Sequence, residues 1–345
     1  MRVGILTGGG DCPGLNAVIR AIVRRGLGIG ENSFVGFRHG WAGVLEHDVV
    51  ELTRTNTAGI LPRGGTILGT SRTNPFDSRE GGLELIKDAF KLERLDALIP
   101  IGGEDTLGVA LRLSEEGLPI VGVPKTIDND IAGTDVTFGF HTAVQIATDA
   151  IDRLHTTAES HDRVMVVEVM GRNAGWIATY AGMAGGADAI LVPERAFDVN
   201  DVCARLRHRH ASGITFSIVV VAEGATPREG GAMSVAGERE TDEFGHARLG
   251  GIGAQLEHQI ESLTGYQTRA TILGYVQRGG TPTAYDRVLA TRFGVAAMEA
   301  VAAGRFAQMV ALRGSSVIEV SLAEALAEPK LLDPSLFETA EVFFG

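Results

Sequence analysis

Short apolar runs, each closed by glycine or charged residues and most followed by a helix-length amphipathic stretch, recur along this chain. Residues 3–6, 34–37, 97–101, 120–123, 164–169, 189–192, 217–221 and 271–275 read as strands. Residues 15–25, 82–91, 106–115, 142–157, 174–185, 199–210, 252–263 and 284–303 read as helices. Continuously apolar strands are buried on both faces, which requires helices packed on either side of a parallel sheet. Open sheets of this kind present ligands with the carboxyl ends of their strands. The residues just past each run are therefore where chemistry is expected.

At 345 residues the chain has length for two domains, each with a sizeable core. A domain change is expected near 138–141, with the chain returning to its first domain near Gln277. The polar, glycine-rich stretch 226–247 reads as a surface excursion. The net charge of -12 argues against a general nucleic-acid or anionic-membrane binder. Small anionic ligands remain admissible, because local arginines and helix N-termini capture them. Cys12 and Cys203 make no disulfide or zinc framework, which suits a reducing cytosol. The N-terminus runs straight into the first strand without a signal peptide, and no apolar run approaches the ~20 residues needed to span a bilayer. A soluble cytoplasmic protein is expected.

Three strand ends carry the polar residues. Pro124-Lys125-Thr126-Ile127-Asp128-Asn129-Asp130 packs two carboxylates, an amide, a hydroxyl and an ammonium behind the run 118–123. Such a cluster is unfavourable at the end of a buried strand unless a substrate or metal uses it. In an extended segment Thr126, Asp128 and Asp130 share one side, and Asp128 is placed to take a proton from a substrate hydroxyl. The competing explanation is an Asx-turn leaving the strand. Gly102-Gly103-Glu104-Asp105-Thr106 follows the run 97–101, where Asp105 also suits a helix N-cap. Gly8-Gly9-Gly10-Asp11-Cys12-Pro13-Gly14 follows the first strand, its backbone N–H groups free to cradle a phosphate. It differs from the dinucleotide fingerprint, and the second strand ends at Arg38-His39 without a ribose-binding acid, which argues against a nicotinamide-dependent oxidoreductase. Together the three strand ends read as a phosphate-handling site.

These motifs, with Met170-Gly171-Arg172 and Gly274-Tyr275-Val276-Gln277-Arg278-Gly279-Gly280, stand in the order and spacing of the 6-phosphofructokinases, and the chain resembles that family over nearly its whole length. The resemblance implies two doubly wound α/β domains with the active site in the cleft between them. Residues 1–138 plus about 277–325 would bind the phosphoryl donor and magnesium, and 139–276 plus the C-terminal segment the sugar phosphate. It makes Asp128 the base for the 1-hydroxyl of fructose 6-phosphate, with Thr126, Ile127 and Asp130 beside the sugar and the metal. Glu104 stands where the family has an acidic magnesium ligand, usually aspartate. Gly10 and Arg72 match groups on the donor. Met170, Gly171, Arg172, Glu223, Tyr275, Val276, Gln277 and Arg278 match the sugar-phosphate pocket, although many members carry histidine in place of Tyr275. Arg163 and Arg269 match arginines that reach a neighbouring subunit's 6-phosphate, which implies a homodimer or homotetramer. Arg20, Arg24, Arg54, Arg153 and Asp188 lie where allosteric members bind effectors; they read here as helix-surface charges.

Two positions bear on the donor. Members using ATP commonly have glycine at the positions of Asp105 and Lys125, whereas members using pyrophosphate have aspartate and lysine. An Asp105 carboxylate would occupy the space of an ATP α-phosphate with charge of the same sign, at a cost of about 4 kcal/mol for unit charges ~4 Å apart at an effective dielectric near 20. Lys125 would stabilise charge developing on the transferring phosphoryl. Taken singly, Lys125 also reads as a solvated lysine. The resemblance therefore implies reversible, pyrophosphate-dependent phosphorylation of fructose 6-phosphate; the alternative is an ATP-dependent 6-phosphofructokinase of the same fold, and a non-catalytic sugar-phosphate sensor would not need Asp128.

Overall fold

The computed structural model describes residues 1–78, 81–228 and 249–345. Its strands, in chain order, are β1 (Arg2–Thr7), β2 (Ser33–Phe37), β3 (Val49–Leu52), β4 (Ala97–Gly102), β5 (Val121–Thr126), β6 (Phe138–Gly139), β7 (Val164–Val169), β8 (Ala189–Leu191), β9 (Ser217–Ala222), β10 (Thr268–Ile272), β11 (Gln308–Arg313) and β12 (Ser316–Ser321). The first sheet runs β12-β11-β5-β4-β1-β2-β3 with β6 beside β5. It is parallel except at its two edges, where β3 and β12 pair antiparallel. The second sheet runs β10-β7-β9-β8 and is wholly parallel.

Side-chain alternation explains why both sheets are sandwiched by helices. On the first sheet, Val3, Ile5, Ala97, Ile99 and Ile101 enter one core, and Leu6 and Leu98 enter another on the opposite face. On the second sheet, Met165, Val167, Val169, Ile218 and Val220 join that same first core, and Val164, Val166, Val219 and Val221 pack into a third. One apolar layer is thus shared between the sheets, so their inner faces are held together by burial. A polar tie adds to it. The Asp286 carboxylate, on the helix Ala284–Ala302, accepts from Thr142 N (2.7 Å) and Thr142 Oγ1 in the first turn of the helix Phe140–His161. A carboxylate there is favoured by the helix dipole.

Sequence and structure differ at several elements. The strand expected at 271–275 lies at Thr268–Ile272 and gives way to a 3-10 turn, Gly274–Arg278, at whose start Gly274 adopts a left-handed φ of 50°. The run expected at 120–123 extends as β5 to Thr126, so Lys125 leaves from the strand itself. Asp128 and Asp130 are not part of an extended segment: Asn129 between them has φ 55° and turns the chain. The helix expected from residue 106 begins at Glu104 with Gly103 as its N-cap, so Asp105 lies inside the first turn and does not cap it. Strands β3, β6, β11 and β12 were not anticipated. From residue 229 the expected excursion at 226–247 lies outside the described residues. Among the described residues no helix is long and apolar enough to cross a membrane.

Candidate active site

In the first sheet β2 lies to one side of β1 and β4 to the other, so the crevice at the carboxyl ends of β1 and β4 is a topological switch point, where open α/β sheets bind ligands. The pocket found there is lined by Gly9, Gly10, Arg72, Gly103, Glu104, Asp105, Thr106, Lys125, Thr126, Asp128, Asp130, Arg172 and Arg278. Residues from the ends of β1, β4 and β5 make one wall. Arg172, just past β7, and Arg278, past β10, come from the second sheet.

The glycine loop differs from the simple cradle its sequence suggests. The amides of Gly8 and Gly9 are used internally, donating to Ile101 O and Ser71 O at 3.0 Å each. Its carbonyls meet cations instead: Lys125 Nζ donates to Gly10 O, and Arg278 Nη1 to Asp11 O at 3.3 Å. Arg278 lies so close that a Cβ at residue 10 would stand 2.5 Å from Nη1, so a larger residue there would push the guanidinium aside. Lys125 is only 3% exposed and is not a solvated lysine. Burial pushes its ammonium below the usual lysine range, and Arg278 adds to that, while Asp128 opposes it.

Opposite the lysine lies the turn after β5. Thr126 Oγ1 accepts from Asp128 N at 3.0 Å, and Asn129 Oδ1 accepts from Thr137 N at 3.0 Å. Local side-chain bonds of the competing turn reading are therefore present, but they leave one atom over. Asp128 is 3% exposed, and its buried Oδ1 has no hydrogen-bond partner. A buried carboxylate oxygen left unsatisfied calls for a functional reason. Burial, then the Asp128 charge, pushes Asp130 up to about 7, with Glu104 adding to the rise and Arg172 opposing it. Glu223, at the end of β9, is also raised, first by burial and then by Asp128. Its carboxylate accepts from Arg172 N at 3.1 Å, which holds the left-handed Arg172 (φ 50°) in place.

Other expected residues lie around this pocket without lining it. Ile127 and Gln277 are fully buried. Gln277 acts within the chain, accepting from Met170 N (3.3 Å) and donating to Gly274 O (3.2 Å). Met170 and Gly171 shape the turn that delivers Arg172. Tyr275 is 78% exposed and Val276 67%. Arg163 and Arg269 lie away from the pocket: Arg163 Nε donates to Gln267 (2.7 Å), and exposed Arg269 faces Glu257 and Glu261 at 3.7 and 3.4 Å. Asp188 is no surface charge; it is buried, accepting from Ile218 N (2.8 Å) and paired with Arg209 (3.0 Å). Thr106 also lines the pocket, and no local sequence signal marks it out. It closes a motif whose acids carry the chemical signal.

Four cations (Arg72, Lys125, Arg172, Arg278) and four acids (Glu104, Asp105, Asp128, Asp130) thus share one crevice. Cations suited to phosphate beside carboxylates suited to a hard metal and a hydroxyl proton define an α/β enzyme of phosphoryl transfer. The chain belongs to the phosphofructokinase family: the family model described as phosphofructokinase matches residues 2–301. It is 59% identical over 346 residues, 100% of both chains, to a pyrophosphate--fructose 6-phosphate 1-phosphotransferase of Streptomyces coelicolor. It is 55% identical over 341 residues, 99% of both chains, to ATP-dependent 6-phosphofructokinase 3 of the same organism. Among solved structures, phosphofructokinase of Pichia pastoris in the T-state matches with a TM-score of 0.84 at 31% identity, over 94% of this chain and 35% of that one. The present chain thus spans only a part of that longer polypeptide.

Proposed function

We propose that this chain transfers a phosphoryl group reversibly from pyrophosphate to the 1-hydroxyl of fructose 6-phosphate, giving fructose 1,6-bisphosphate and phosphate. The observation that carries this reading is the unpartnered, buried Asp128 Oδ1 in the same pocket as a buried Lys125. Asp128 takes the hydroxyl proton, the freed oxygen attacks the terminal phosphorus, and the bridging P–O bond of pyrophosphate breaks to release phosphate. Lys125 and Arg72 hold the donor, with Gly10 providing its close backbone approach. Charge gathering on the transferring group is met by Lys125 in a site of low dielectric. Asp105, in the first turn of its helix, stands on the donor wall where a longer polyphosphate would bring further negative charge. The relatives at 59% identity carry pyrophosphate in their names, and those at 54–55% carry ATP, which supports pyrophosphate modestly.

Among the described residues no three His, Cys, Asp or Glu side chains form a ready metal cage. Magnesium is held by one or two carboxylates together with substrate phosphates, and Glu104 and Asp130 line the same pocket. Glu104 would hold it, with Asp130 beside it, and the bound ion would neutralise the donor. Thr126, Asp130, Met170, Gly171, Arg172, Glu223 and Arg278 would bind the sugar phosphate, with the backbone at Ile127, Val276 and Gln277 completing that pocket. The two proposed lobes, 1–138 plus about 277–325 and 139–276 plus the C-terminal segment, would close over both substrates. Tyr275 would complete the chain's own sugar-phosphate pocket, and Arg163 and Arg269 would reach a neighbouring subunit's sugar 6-phosphate in a homodimer or homotetramer. Support for this comes from β10, an edge strand, near which Ile272, Tyr275 and Val276 are exposed.

A donor competition tests the reading: fructose 6-phosphate with magnesium and either pyrophosphate or ATP, following fructose 1,6-bisphosphate. Turnover with pyrophosphate at least ~10²-fold above that with ATP is expected, given about 4 kcal/mol of repulsion at the Asp105 position. Turnover with ATP and none with pyrophosphate would overturn the donor while leaving the acceptor.

A further inference from the structure

The turn that carries Asp128 and Asp130 is held from 201 residues away in sequence. Lys330 Nζ donates to three convergent oxygens: Asn129 Oδ1 at 3.0 Å, Thr134 O at 2.9 Å and Asp135 O at 2.9 Å. Its backbone N–H donates to Asp130 O at 2.8 Å. The ammonium also stands 5.4 Å from the centre of the Trp176 ring, and Trp176 Nε1 donates back to Lys330 O at 3.1 Å. Two residues further on, Leu332 N donates to Glu194 Oε1 at 3.0 Å, the same carboxylate that accepts from Gly175 N. The segment around Lys330 therefore ties the turn after β5 to the start of the helix Trp176–Ala184, which packs against β8 and β9 of the second sheet.

The residue it grips is the one that shapes the turn. Asn129 is left-handed, a conformation that asparagine tolerates better than most residues but still above its ordinary energy. Its side-chain oxygen accepts from both Thr137 N and Lys330 Nζ, which fixes the side chain and with it the backbone. Asp128 precedes it and Asp130 follows it, so a rotation at Asn129 would carry both carboxylates out of the pocket. We infer that Lys330 is a positioning residue for the reaction: it locks Asn129 in the left-handed turn that aims Asp128 and Asp130 at the substrates, while touching neither substrate itself. This rests on the phosphoryl-transfer reading above, since it is the aim of Asp128 that Lys330 serves.

The test is steady-state kinetics of Lys330→Met with whichever donor supports turnover in the wild type, alongside thermal melting. A misplacement of about 1 Å at a reacting group costs up to ~10² in rate. We expect kcat to fall by about 10- to 100-fold with KM for both substrates within about threefold. Lys330→Arg keeps the charge and should recover part of that loss. A melting temperature lowered with kcat unchanged would overturn the inference, because Lys330 would then merely stabilise the fold. If Lys330→Met does not fold, Lys330→Gln removes the charge and shortens the reach to Asn129 while leaving the Thr137 bond in place, and should reproduce the kcat loss; unchanged kcat there overturns the inference equally. A wild type inactive with either donor would instead reject the phosphoryl-transfer reading, a result distinct from both.

Discussion

Replacing Lys125 with methionine should slow the reaction and stabilise the protein at once. Methionine keeps nearly the same length and shape but removes the ammonium. In the structure that ammonium is bonded to Gly10 O and almost entirely buried, so it lies beside any donor phosphate entering along the glycine loop. At about 4 Å and an effective dielectric near 20, a full unit of charge interacts by about 4 kcal/mol. Only the part of that charge developing on the way to the transition state changes kcat; taking half, about 2 kcal/mol, gives a fall of roughly 30-fold. KM for fructose 6-phosphate should hardly move. Stability goes the other way. Burial lowers the Lys125 pKa below its unfolded value of 10.5, so in the window between the two values the unfolded chain binds more protons, and stability rises with pH. Below that window the lysine is charged in both states and the whole penalty of burying it applies. Lys125→Met removes the penalty but also the Gly10 bond, leaving a net gain of about 1 kcal/mol, on the order of 2 °C in melting temperature. The gain should shrink as pH climbs through the window, because the wild type then loses its buried charge. Saturating steady-state assays and melting curves at several pH values read both quantities. A variant with kcat within threefold of wild type, or one that melts lower at neutral pH, would refute the reasoning.

Asp128→Asn should lower kcat by at least ~10²-fold, the range for a positioned base, with little change in melting, since the lost oxygen has no protein partner; an unchanged kcat removes Asp128 from the chemistry. Asp105→Gly should let turnover with ATP appear or rise by up to about three decades while turnover with pyrophosphate falls, and a donor ratio that does not move would count against a role in donor choice. Arg163→Ala and Arg269→Ala should each raise KM for fructose 6-phosphate, and mixing the two variants should restore some activity if their arginines reach different sites. Full activity of a monomer by light scattering would exclude sharing.

How much of this was legible in the sequence follows from the range of the interactions involved. Strand and helix patterns depend on neighbours a few residues apart, so the parallel α/β character and the polar strand ends could be read directly; Gly10, Glu104, Asp105, Lys125, Asp128 and Asp130 stand at three such ends. That these ends converge depends on strand order, and Arg278 beside Asp11 joins positions 267 residues apart. Only the resemblance to a family, and not any local rule, connected them in advance. Three features belonged to the tertiary structure alone. Lys125 is buried because β5 continues to Thr126 between β4, β6 and β11, and two of those partners, β6 and β11, were themselves invisible in sequence. The Asp128–Asp130 segment turns where alternation suggested extension, because Thr137 and Lys330 reward the left-handed Asn129 with hydrogen bonds. Lys330 itself lies in a stretch with no motif. Its significance comes from three oxygens of the 129–135 turn, and only the packing of the C-terminal segment brings Lys330 to them.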